Sequence, residues 1–299
     1  MSQNNHLVFV NNNIDGATSF LLFKWLTGKK DLVCKTVSQN SFPSVYGRWS
    51  KHVDLGAIDK IYVFDLDVTK YVDMLPADKL VIIDSDPYHD ATRYKSGTKT
   101  FISTESGSCS KMIYDLFNNR FDTELTKAQK ILMLLVDDCV SYNFSLNGSY
   151  ELGLIFDNYQ GDRVNKFLQE FNTGFRGFTS KQKAIIRFYK NKINDIKKNL
   201  EVFESQLTIG DKKYKFISTF TGLFINEISD WLLNVFKGDI SIVINVDSNR
   251  VSFRRSDNCT VDLSKLSKKL ADGGGRQYSA GGYITDKLLE LSKTFKQIK

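Results

Sequence analysis

Short unbroken apolar runs mark the first third of this chain, and each stops abruptly at polar residues. Leu7 to Val10, Leu32 to Val37, Lys60 to Phe64 and Lys79 to Ile83 each have the length and β-favouring content of a buried strand. Lys99 to Ile102 predicts a further strand. Between them, apolar positions return at helical spacing after Ala17 through Trp25, and a short helix is expected over Lys70 to Met74. Ser38 to Lys51, with Pro43 and Gly47, reads as a loop. Strands alternating with helices predict an α/β fold built on a mostly parallel sheet.

The middle of the chain is helical by the same criterion. Glu105 to Asn118, Thr126 to Val136 and Arg163 to Phe171 each carry an apolar stripe, whereas Asn143 to Gly161 shows no clear period. Thr179 to Phe203 is the longest helical pattern and reads as a connector between domains. Beyond it, strands are expected at Phe216 to Thr219, Ile240 to Val246 and Arg250 to Arg254. Helices are expected at Phe224 to Phe236, Ser264 to Leu270 and Thr285 to Phe295.

Composition narrows the class. The 299 residues are 41% hydrophobic and 25% charged, enough for two domains of ordinary size. No apolar run approaches the roughly 18 residues of a membrane span, and the amino-terminal residues lack a secretory pattern. Cys34, Cys109, Cys139 and Cys259 are scattered and read as reduced thiols of a cytoplasmic protein. The net charge of +7 is unevenly placed. Aspartate crowds the segment from Asp59 to Asp90, whereas Lys181 to Leu200 holds seven basic residues against Asp195 alone. An acidic half and a basic half suit either a metal-assisted enzyme acting on phosphates or ordinary solvated surface.

Candidate chemistry sits where the apolar runs end. Asp15, Asp65 and Asp84 each follow such a run, and strand ends in a parallel sheet lie side by side. Clustered carboxylates repel unless a cation or shared protons compensate them, and hard divalent cations take such oxygen ligands. Each aspartate also suits a turn or a helix cap. Asp137-Asp138 is a fourth acidic point after an apolar helix. Near the far end, Gly273, Gly274, Gly275, Gly281 and Gly282 fall within ten residues around Arg276. Successive backbone N–H groups in such a stretch could form an anion-binding concavity.

With these parts in order, the chain resembles the DHH phosphoesterase superfamily with its DHH-associated C-terminal domain, oligoribonuclease and nanoRNase-like members among them. The resemblance runs over nearly the whole length. Val251 to Arg255, Val261 to Ser264 and Gly273-Gly274-Gly275-Arg276 through Gly281 look like that domain's substrate-gripping signature, with Arg276 where the family has His. Asn11 to Ser19 resembles the first motif, Asp65 the second, Asp84-Ser85-Asp86 the Asp-His-His motif, and Asp137-Asp138 the fourth.

The resemblance implies a catalytic domain over residues 1–178, a linker helix over 179–206 and a substrate-binding domain over 207–299. It also implies Mn²⁺ or Mg²⁺ in a cleft between domains, acting on phosphodiesters of short oligonucleotides, single-stranded nucleic acid or nucleotide second messengers. Asn11, Asn13, Asp15, Asp65 and Asp138 stand at metal positions, and Asp84, Asp86 and His89 at catalytic ones. Arg254, Arg255, Gly273, Gly274, Gly275 and Arg276 form the substrate grip, arginine presenting a fork of donors that matches phosphate. Asn11 and Asn13 replace acidic or histidine residues of the family, and Ser85 and Asp86 replace its two histidines, which weakens the first metal position. Two function classes follow: a phosphodiesterase with an altered metal site, or a catalytically silent homologue that binds nucleotide or nucleic acid or serves in an assembly. A homodimer is compatible with either.

Overall fold

The computed structural model describes residues 5–29, 32–86, 89–103, 107–121 and 123–299. The chain folds into two compact units, residues 1–186 and 187–299. Among the described residues no helix is long and apolar enough to cross a membrane.

The first unit holds β1 (Asn5–Asn11), α1 (Ile14–Thr27), β2 (Val33–Val37), α2 (Phe42–Ser50), β3 (Ile58–Phe64), β4 (Leu80–Asp84) and β5 (Lys99–Ile102). The helices α3 (Cys109–Phe117), α4 (Lys127–Val140), α5 (Ser149–Asp157) and α6 (Arg163–Glu170) follow. The five strands are all parallel, in the order β2-β1-β3-β4-β5. Their apolar runs are unbroken because both faces are covered. Val8, Val10, Phe64, Val81 and Ile83 join one core with α1 and α3 to α6. Leu7, Phe9, Ile61, Val63, Leu80 and Ile82 join the other, with Phe42 and Tyr46 of α2.

The segment expected as a loop, 38–51, is therefore largely helical. Pro43 occupies the first turn, where a missing N–H costs nothing, and starts the helix that it seemed to break. The segment 143–161 likewise contains α5, whose Leu152 and Phe156 reach the first core. Of the helix expected from Glu105, residues 104–106 lie outside the described residues and α3 begins at Cys109.

The helix α7 (Ser180–Asn199) crosses the boundary between the units. It ends four residues before Phe203, because Phe203 starts β6 (Phe203–Ile209), a strand that the helical pattern had absorbed. The second unit continues with β7 (Lys212–Phe220), α8 (Ile225–Phe236), β8 (Ile240–Asn245), β9 (Arg250–Arg255), α9 (Leu263–Ala271), β10 (Gly274–Arg276), β11 (Ser279–Tyr283), α10 (Asp286–Ser292) and β12 (Lys296–Gln297). These strands form a mixed sheet in the order β10-β11-β9-β8-β7-β6-β12, with only β7 and β8 parallel. One face packs on α9 and α10 through Phe253, Ile242 and Ala280, and the other on α8 through Ile217 and Val243.

The glycine-rich stretch belongs to this sheet. Gly274 to Arg276 pair antiparallel with Ser279 to Gly281 as a hairpin, so the segment is a ladder and not an open concavity. Close packing explains two of its glycines. A Cβ on Gly273 would lie 1.9 Å from the Gly281 carbonyl oxygen, and one on Gly282 would lie 2.3 Å from that of Ala271. Gly274 faces open space, with nothing within 4 Å. Gly273→Ala is therefore expected to destabilise the protein by at least ~1–3 kcal/mol, the range for overpacking. Gly274→Ala should leave stability within ~0.5 kcal/mol of wild type. Urea unfolding of the two variants side by side measures both.

Candidate active site

The carboxyl ends of β1, β3 and β4 lie next to one another in the parallel sheet. Strand order reverses direction around β1 and β3, the point where open α/β sheets bind ligands. Each end delivers polar residues. Asn11 closes β1, Asn13 caps α1, Asp65 follows β3 and Asp84 ends β4.

Asn13 is held in one orientation. Its Oδ1 accepts the Gly16 N–H at 2.7 Å, the capping bond of α1. That bond turns the amide nitrogen outward, and Nδ2 donates to Asp65 Oδ2 at 2.5 Å. Asn11 Nδ2 donates to the same oxygen at 3.2 Å. Asp65 adopts a left-handed backbone, φ +54°, uncommon for a residue other than glycine. Desolvation raises its pKa well above the usual carboxylate range, as do the charges of Asp15 and Asp84; the Asn13 and Asn11 amides oppose them.

Asp15 is 1% exposed and points elsewhere. Its two oxygens accept the backbone N–H groups of Cys109 (2.8 Å) and Ser110 (2.9 Å), at the amino terminus of α3. Free amides and a positive dipole end make this a good seat for a carboxylate. Burial still pushes its pKa up to about 6, opposed by those amides and reinforced by Asp84. Asp84, also buried, accepts the Asp86 N–H on Oδ1 (3.1 Å) and lies 2.7 Å from His89 Nδ1 through Oδ2. His89 is buried, and its Nε2 lies 2.7 Å from Tyr94 Oη and 3.4 Å from Asp67 Oδ1.

Asp138 serves a separate turn. Its oxygens accept the Ser145 N–H and Oγ–H and the Leu146 N–H. Asp137 accepts from Ser108, the cap of α3.

Four contributors were missed in the sequence: the α3 amides, Tyr94, Asp67 as a partner of His89, and Arg163. Arg163 reaches from α6 and donates to the Asn12 carbonyl at 2.6 Å. The one legible signal was Ser108, a capping residue directly ahead of an apolar helical stripe.

These residues do not fit a two-ion centre. Among the described residues no three His, Cys, Asp or Glu side chains form a group able to hold a metal ion. The carboxylates feel one another electrostatically, yet most of their oxygens face N–H donors. Asn13, expected at a metal position, turns its amide nitrogen and not its oxygen toward Asp65. The N–H donors offset the carboxylates only in part, since Asp15 and Asp65 both keep raised pKa values.

In the second unit, strand alternation separates the two neighbouring arginines. Arg254 pairs across with Ser279, and Ser279 with Arg276, so the three share one row on the face opposite Phe253 and Ala280. Arg254 Nη2 donates to Asn226 Oδ1 at 2.6 Å, and Arg276 Nη1 to Tyr278 Oη at 3.0 Å. Arg255 falls on the other face, where Nη1 donates to the Val261 carbonyl at 2.8 Å. Of Gly273, Gly274 and Gly275, only Gly274 lies on the Arg254 face with open space above it.

No family model matches the sequence, and no curated protein matches it by sequence. Solved structures match by fold. The pGpG-specific phosphodiesterase PggH from Vibrio cholerae aligns over 97% of this chain and 96% of its own, at 13% identity and a TM-score of 0.58. Exonuclease RecJ bound to manganese aligns over 97% and 89%, at 10% identity and 0.60. An exopolyphosphatase-related protein from Bacteroides fragilis aligns over 97% and 90%, at 13% and 0.53. The chain has the fold of the DHH superfamily.

Two outcomes test the site. Asn13→Asp keeps the helix cap but sets a carboxylate against Asp65. The variant should melt below wild type in EDTA and recover with Mn²⁺, while wild type should show no Mn²⁺-dependent shift. A wild-type shift at sub-millimolar Mn²⁺ would show that the donor set does bind a cation.

The second concerns Asp15. Its folded pKa of about 6 lies above the unfolded 3.8, so the native state holds the proton more tightly. That stabilisation is complete below the unfolded value and is lost as pH rises through about 6, up to ~3 kcal/mol at 1.36 per unit. Denaturant stability between those two pH values should fall more steeply in wild type than in Asp15→Asn.

Proposed function

We propose that this protein binds the phosphates of nucleotides or short single-stranded nucleic acid, and that it does so as a DHH-fold relative without a two-ion hydrolytic centre. The observation that carries this reading is the Asn13 side chain. Its capping bond to Gly16 leaves only the amide N–H groups to face Asp65, where a ligand oxygen would be required.

The substrate side of the reading rests on the Arg254–Ser279–Arg276 row. Two guanidinium groups and a hydroxyl in one row of the sheet face that carries α8 match phosphate oxygens. Gly274, beside that row, faces open space, which lets a phosphate approach the backbone. The fold shared with a pGpG-specific phosphodiesterase and with exonuclease RecJ supports a phosphodiester as the ligand.

A metal-assisted phosphodiesterase is the second reading, favoured by the mutual electrostatic influence of Asp15, Asp65 and Asp84. Calorimetry with a 5′-phosphorylated dinucleotide, followed by product analysis after incubation with Mn²⁺, decides between the two. Binding without cleavage is expected. Arg254→Ala and Arg276→Ala should each weaken binding about ten- to a hundredfold, the usual scale for one charge-assisted contact of about 1.5–3 kcal/mol. Mn²⁺-dependent cleavage that Asp65→Ala abolishes would establish the hydrolase instead.

A further inference from the structure

The exposed side of α7 within the second unit carries a groove that the phosphate-binding row does not use. It is open, with a volume of about 710 Å³, and its walls include Phe188, Asn191, Lys192, Asp195, Ile196 and Leu200. Phe188 is 61% exposed, unusual for a phenylalanine on a helix whose opposite side is packed. Its ring meets Tyr189 edge-on at 5.1 Å, and Tyr189 meets Phe224 at 6.1 Å. Lys192 lies over the Phe224 ring at 5.9 Å.

The groove is lined by the Phe188 ring, the aliphatic Ile196 and Leu200, two asparagines, Lys192 and Asp195, and the helix around it is basic. From Arg187 to Asn199 there are five basic residues, Arg187, Lys190, Lys192, Lys197 and Lys198, against Asp195. Lys198 lies 3.5 Å from that one carboxylate. An exposed ring flanked by cations is the combination that binds single strands, the ring stacking a base and the cations following the backbone. The apolar part of the lining is three side chains, Phe188, Ile196 and Leu200, far smaller than one side of an ordinary protein interface.

We propose that this groove is a base-stacking subsite for single-stranded nucleic acid, with Phe188 as the stacking platform and Arg187 and Lys192 as phosphate contacts. It rests on the nucleic-acid reading above and extends it to strands longer than a dinucleotide. Stacking on Phe188 is sequence-tolerant, since every base has a π-face.

Fluorescence anisotropy on the full chain tests it with two probes, a labelled single strand of about twelve thymidines and the 5′-phosphorylated dinucleotide. The longer strand should bind more tightly than the dinucleotide. Phe188→Ala should weaken the longer strand about tenfold and leave the dinucleotide unchanged, and Phe188→Trp should restore it. Lys192→Gln should lower the slope of log K against log salt by about 0.7, the value for one phosphate of a single strand. If Phe188→Ala binds the longer strand as wild type does, or length brings no gain, the subsite is wrong while dinucleotide binding still stands. If the longer strand binds and the dinucleotide does not, the Arg254 row is wrong and the groove stands. If neither probe binds, both fall.

Discussion

Negative charge gathered at the ends of adjacent parallel strands has to be compensated, and in this protein N–H groups do part of it. Asp15 faces two backbone amides of α3, Asp65 faces two asparagine amides, and Asp84 faces the Asp86 amide and His89. The first two arrangements join distant parts of the first unit. The Asp15 bonds tie the start of α1 to the start of α3, and the Asp65 bonds tie the β1–α1 turn to the end of β3. The acidic edge is thereby part of what holds the helices on the sheet.

This compensation shapes the chemistry. A divalent cation draws carboxylate oxygens inward to a common point. Amide donors instead let each carboxylate turn to its own partner, so three acidic groups can be near in charge and yet share no centre. The second unit shows a related division of labour between neighbours. Strand alternation sends Arg254 to a surface row and Arg255 to a carbonyl on the opposite face, although the two are adjacent in sequence. Two of the glycines around them, Gly273 and Gly282, serve close packing.

The elements misread in the sequence have specific causes. Pro43 is both a helix breaker and a favoured first-turn residue, and only the packing of Phe42 and Tyr46 against Phe9 selects the second role. Phe203 fits the helical stripe of α7 and the alternation of β6 equally well, so the helix looked four residues too long. The run 273–282 read as an anion-binding concavity and not as strands because glycine is poor in strands. In the hairpin it forms, the absent side chains let β11 approach α9.

The sequence by itself determined that strands ending in aspartate would line up in a parallel α/β sheet. Apolar runs with no polar alternation have no stable place except between two covered faces, and parallel order sends their ends to one edge. It also determined the resemblance to the DHH superfamily, whose fold the structure has. What Asp15 and Asp65 face was decided only by the tertiary structure. The bonds from Asn13 to Asp65 and from Cys109 to Asp15 span 52 and 94 positions of the chain. A hydrogen bond depends on the direction of both partners, and no local pattern encodes a direction set by residues so far apart.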